Sequence, residues 1–157
     1  MKALIIISIS AVLFTQTGCF AQDAAYEDAI EDMAGHIEKL ESYLKSGAID
    51  FNSYDRWYKE FKEINKEFKG DFSKKHNTAR SYKSVRKVSE DLALAWSILH
   101  RSQDAEKEYA DAITSEDVQY AHKWKNEAAQ HTKDATDVLR RAIEEFKTAE
   151  VSAGNRD

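Results

Sequence analysis

The chain has 157 residues, a formal charge of −5, no proline, five glycines and one cysteine. That length suits one domain, and without proline and with little glycine the many tight turns of a β-sandwich or barrel are excluded. With 42% hydrophobic and 11% aromatic residues the chain is too apolar to stay disordered, and a single cysteine excludes both an internal disulfide framework and a cysteine-rich zinc site.

The N-terminus reads as an export signal. Met1-Lys2 supplies one positive charge, and Ala3 to Phe14 is an apolar run broken by Ser8 and Ser10. A membrane span needs about 20 residues, so this run has the length of a signal-peptide core. A polar stretch follows, ending in Thr17-Gly18-Cys19. The segment 1–20 resembles the lipobox region of bacterial lipoproteins, with Gln16 departing from the aliphatic residue usual there. The resemblance implies that residues 1–18 are removed and that Cys19 becomes the lipid attachment point. Phe20, in place of an aspartate, implies the outer membrane in a Gram-negative cell. The alternatives are ordinary cleavage after Ala21, which leaves a soluble periplasmic or secreted chain, and an uncleaved membrane helix.

Loss of residues 1–18 removes one positive charge from a total of −5 and leaves −6. That balance argues against nucleic acid as a partner. The mature region, 23–150, is expected to be one helical domain, with 151–157 as a flexible tail. Gly47 and Gly70 read as helix C-caps, followed by N-caps at Asp50 or Ser53 and at Asp71 or Ser73. Thr114 and Asp117 form an approximate capping box. The four expected helices are 23–46, 50–69, 73–112 and 115–150.

Apolar spacing of three and four supports each helix. The first carries Ile30, Met33 or Ala34, Ile37, Leu40 and Leu44. The second carries Tyr54, Trp57, Phe61, Ile64 and Phe68, an aromatic stripe that reads as core before it reads as a ligand grip. The third is nearly apolar all round at Leu92–Leu99, which places that stretch at the bundle centre. The fourth carries Val118, Ala121, Ala128, Ala135, Leu139, Ala142, Phe146 and Ala149, whose small residues let a neighbour approach closely. The expected fold is all-α: an up-and-down bundle of three or four helices built on a long antiparallel hairpin of the last two. With the first two helices side by side, one end of that hairpin, near 105–123, protrudes as a two-helix arm. With them end to end, the result is a three-helix bundle.

Charge is unevenly placed. Phe72–Ser89 holds six basic residues and no acid, and Arg80, Lys83 and Lys87 share a helical face with His76. This strip is the candidate partner-binding surface, for an envelope protein or an anionic polymer or lipid headgroup; the simpler reading is a solvated face answered by the acids of the first helix. A turn at about 113–114 would put His100 beside Glu127 and Trp96 beside His131. His100, Glu127 and His131 then form a candidate metal set of N/O ligands, although the Glu-x-x-His pairs of dimetal bundles are missing. A haem could be held between Met33 and His122 or His131. Asp50–Asp55 opens like a calcium loop but has no glycine at its sixth position and Phe61 at its twelfth. No nucleophile elbow, phosphate loop or Cys-x-x-Cys-His motif occurs.

The expected function is therefore non-catalytic, with no resident cofactor: an exported, lipid-anchored helical module that binds a protein or an envelope polymer. The alternative is a periplasmic bundle binding metal or haem.

Overall fold

The computed structural model describes residues 14–47, 49–76 and 78–154, with side chains from 24 to 153. Four helices account for nearly all of it: α1 (Phe14–Ser46), α2 (Phe51–His76), α3 (Arg80–Thr114) and α4 (Val118–Gly154). Among the described residues there is no strand. No described helix is long and apolar enough to cross a membrane.

Each break has a local cause. Gly47 adopts φ +75° and its N–H bonds to the Leu44 carbonyl at 3.3 Å, so a left-handed glycine ends α1. Asp50 then caps α2: its carboxylate accepts from the Ser53 N–H at 2.9 Å and the Ser53 hydroxyl at 2.7 Å. These bonds hold the Asp50 carboxyl below its ordinary pKa, the Ser53 hydroxyl contributing most. The segment that starts like a calcium loop thus begins with a helix cap.

Gly70 does not end α2, contrary to expectation; the helix continues to His76 and the chain breaks just before Arg80. The reason lies on either side of the glycine. Phe68 and Phe72, four residues apart, are both buried and pack tilted or edge-on against each other and against Tyr26. Burying a phenylalanine contributes about 1.5–3 kcal/mol, more than the ~1 kcal/mol that an internal glycine costs a helix.

The α3–α4 turn also differs from the expected capping box. Thr114 is the last residue of α3, and its hydroxyl donates back to the Ala110 carbonyl. The Glu116 N–H bonds to Ile113 and the Asp117 N–H to Ala112, a Schellman closure with Glu116 at φ 58° in the position that favours glycine. Asp117 is itself the N-cap of α4, accepting from the Tyr120 N–H at 3.0 Å. At the other end α4 runs to Gly154 with Ala153 buried, one turn beyond the expected start of the tail.

The helices form an up-and-down four-helix bundle. Each packs against its neighbours in sequence, and α4 closes back onto α1; among the described residues the backbones of the diagonal pairs stay apart, and α1 reaches α3 through the Tyr26 and Ser81 side chains. The closest and longest approach is between α3 and α4. Buried alanines recur every seven residues along α4, at Ala121, Ala128, Ala135, Ala142 and Ala149, facing Ser84, Ala95, Ser102, Ala105 and Ala112 among the buried residues of α3. Small side chains on both sides let the two backbones come together over their full length. The aromatic stripe of α2 is core: Tyr54, Trp57, Phe61 and Phe68 are buried, and the Tyr54 hydroxyl donates to the Leu92 carbonyl at 2.9 Å.

Candidate functional site

Helices α1 and α2 do not cover the whole hairpin. The start of α2 lies level with the middle of α3, where Phe51 packs on Trp96 and His100 and Asn52 faces Gln103. The end of α1 lies level with Arg140–Glu144 of α4. Beyond these points only α3 and α4 continue, as an arm from about Ala105 to Ala129. From Ser102 to Thr114 that is roughly 18 Å of helix at 1.5 Å per residue. Of the two alternatives in the sequence, α1 and α2 lie side by side, and the hairpin protrudes.

The arm is held by its alanine seam and little else. Ala105, Ala112, Ala121 and Ala128 are buried between its helices. Larger apolar side chains stand outside: Ile113 is 55% exposed, Val118 70% and Tyr120 46%. Tyr120 packs edge-on against Trp124, over which the Lys123 ammonium sits at 4.7 Å. The Trp124 Nε1 is shielded from solvent with no acceptor among the described residues.

A groove runs along one face of the arm. Its outer part is lined by Tyr109, Ile113, Val118, Ala121, His122 and Lys125. Its inner part, about 440 Å³, is lined by Glu106, Tyr109, Lys125, Ala128, Ala129 and Thr132. Glu106 and Thr132 also line the crevice beneath Ile49–Asn52, the crossing from α1 to α2. The groove is therefore an open continuation of the hairpin face that the α1–α2 crossing covers lower down. Its floor is apolar, with a carboxylate on the α3 lip and an ammonium on the α4 lip.

The basic strip lies at the opposite end of α3. Lys87 is paired with Glu145 of α4 at 3.0 Å, and Ser84 donates to the other Glu145 oxygen at 2.6 Å. Glu145 is held below the ordinary glutamate pKa, by the Ser84 hydroxyl first and then by Lys87, with Arg80 adding its charge through space. For Lys87 the counter-charge thus comes from α4. Within α1, Glu41 answers Lys45 at 3.1 Å and Lys147 of α4 at 3.3 Å. Arg80 and Lys83 are exposed and enter no ion pair among the described residues.

Comparison with protein-family models, curated proteins and solved structures finds no match.

The histidine set does not converge. His100 turns its Nδ1 to Asp104 at 3.1 Å and its ring to Phe51 and Trp96. His131 lies 4.0 Å from Glu127 on its own helix. Trp96, expected beside His131, instead donates from Nε1 to Asp55 of α2 at 2.8 Å. Among the described residues no three His, Cys, Asp or Glu side chains are grouped to hold a metal. The cause is register. With Thr114 still in α3, Asp91 meets Arg141 and Ser102 meets Thr132, which moves the α4 partner of each α3 residue about one turn from the expected one. Met33 is fully buried, near the α1 end at which α4 finishes, whereas His122 is exposed on the arm. Counting helix rise from the Glu41–Lys147 pair, Met33 and His131 are roughly 36 Å apart, too far to share a haem.

Cys19 lies in the helical backbone of α1 seven residues before Tyr26, outside the residues with described side chains. The apolar run 3–13 lies outside the described residues.

Proposed function

We propose that this chain is an exported, N-terminally membrane-attached module of the bacterial envelope that binds another protein through the α3–α4 arm. The observation that carries the reading is the uncovered groove, which prolongs a surface that the rest of the molecule keeps under other helices. A hairpin face with an apolar floor and charged lips fits an amphipathic helix carrying apolar residues at i, i+3 or i+4, and i+7. Such a helix would bury Ile113 and Val118 as α1 and α2 bury the lower core. The Glu106 and Lys125 lips would orient it.

The export signal supports the location: a basic start, an apolar run of signal-peptide length and a cysteine in lipobox position. Cys19 is the proposed lipid attachment point. A non-catalytic role is favoured because, among the described residues, the groove's Glu106, His122 and Lys125 form no ion pair with one another.

The test is a photo-crosslinking amino acid placed at Ile113 or Val118, and at Lys62 on α2 as a control, in the native host. A discrete adduct from the arm positions, absent from the control and lost on Ala129→Glu at an exposed position of the groove, supports the reading. No adduct, or the same adduct from all three positions, overturns it.

A further inference from the structure

The N-terminus leaves the bundle beside the one acid-free basic segment, Phe72–Ser89. Tyr26 fixes where α1 joins the bundle. Its ring stacks on His76 at 4.1 Å and meets Phe72 at 5.2 Å, and its hydroxyl lies 2.7 Å from Ser81 Oγ. Tyr26 is therefore level with the α2–α3 junction. The helical residues before it, Phe14 onward, pass beyond that junction, away from the arm. Cys19 precedes Tyr26 by seven residues, about 10 Å of helix.

The α2–α3 junction is flanked by cations. Lys74 and Lys75 occupy the last turn of α2, and Arg80 and Lys83 the first turn of α3. All four are exposed. Lys87, one turn further on, is neutralised by Glu145; Lys74, Arg80 and Lys83 have no such partner among the described residues. The acids of this end, Asp23, Glu27, Asp28 and Glu31 on α1, Asp71 on α2 and Glu150 on α4, lie in sequence outside Phe72–Ser89.

We propose that Lys74, Arg80 and Lys83 form a docking surface for the anionic phospholipid headgroups of the membrane to which the N-terminus is attached. The inference rests on the N-terminal attachment reading. A cation near an anionic bilayer strengthens binding about fivefold, too little for each alone to recruit a protein. On a chain already tethered about two turns of helix away, the same contact acts at high effective concentration and fixes orientation. The bundle then stands with its α2–α3 junction on the headgroups and its arm directed away from them, where a partner can reach the groove.

The test uses the full chain with vesicles of phosphatidylcholine alone and with vesicles containing phosphatidylglycerol, at low and high salt. The apolar run 3–14 and Lys2 contribute equally in every variant. The triple variant Lys74→Gln/Arg80→Gln/Lys83→Gln is compared with Lys59→Gln/Lys62→Gln/Lys66→Gln, which removes as much charge from the middle of α2. We expect the first triple to lower the anionic-to-neutral partition ratio by about tenfold or more at low salt, the control to leave it within about twofold, and high salt to erase the difference. A ratio that does not respond, or that falls equally with the control, overturns the proposal. The attachment reading fails on a different measurement, the processed mass of the native chain, so the two failures are separable.

Discussion

The Tyr26 hydroxyl lies 2.7 Å from the Ser81 Oγ, a buried contact across 55 residues that ties the entry of α1 to the first turn of α3. The same ring packs on Phe68, Phe72 and His76, so one side chain closes the end of the bundle from which the N-terminus departs. Tyr26→Phe keeps the packing and is expected to lower unfolding free energy by about 1 kcal/mol. Tyr26→Ala also loses the ring and should cost about 3–5 kcal/mol. Urea unfolding of both variants separates the hydroxyl from the ring; equal losses would mean that the ring contributes little.

Glu116 at φ 58° occupies the left-handed position of the closure between α3 and α4. A side chain there costs about 1–2 kcal/mol relative to the right-handed helical region, and glycine avoids that cost at the expense of a more flexible unfolded chain. Glu116→Gly is expected to stabilise the protein by about 0.5–1 kcal/mol, visible as a rise in Tm. A fall in Tm would show that the Glu116 side chain makes a compensating contact.

The alanine seam predicts the opposite response to added volume. Ala135 and Ala142 are fully buried between α3 and α4, with no room for a longer side chain if the backbones stay close. Ala142→Leu is expected to cost about 1–3 kcal/mol, whereas Ala129→Leu, at an exposed position on the arm, should change stability by less than about 0.5 kcal/mol. Matching effects at the two sites would contradict close packing of the seam.

How much of this was legible follows from the physical scale of each signal. The α1–α2 break was readable because Gly47 needs a positive φ and Asp50 stands three residues before a partner, Ser53, both local facts. Gly70 misled because its cost to a helix is smaller than the burial of Phe68 and Phe72, and that burial depends on Tyr26, distant in sequence. The arm could be anticipated from helix lengths alone. The histidine set could not, because a turn placed by a Schellman closure rather than a capping box shifts every α3–α4 pair. Ser84 reaching Glu145, Trp96 reaching Asp55 and the Trp124 Nε1 without an acceptor among the described residues had no sequence signature; each arises between elements or from what fails to cover them.

Glu145 gives a pH signature. Its carboxyl is held below the ordinary glutamate range by Ser84 and Lys87, so folding favours the ionised form. That contribution is fully present above the unfolded-state pKa, about 4.3, and is lost as pH falls through the lower folded value. Glu145→Gln is expected to cost about 0.5–1.5 kcal/mol at pH 7, with the difference from the unsubstituted chain shrinking below pH 4. Thermal unfolding of both proteins from pH 7 to pH 3 checks this. A gap that widens on acidification would mean that the carboxylate is not stabilised as the geometry indicates.

The membrane attachment, and the headgroup docking that rests on it, turn on a processed, lipid-bearing N-terminus. The most direct measurement is the intact mass of the protein isolated from its native host. The predicted result is a chain that begins at Cys19 and carries the added mass of acyl groups, lost on Cys19→Ser. A chain that still begins at Met1, or one that begins at Gln22 without lipid, would contradict the membrane attachment.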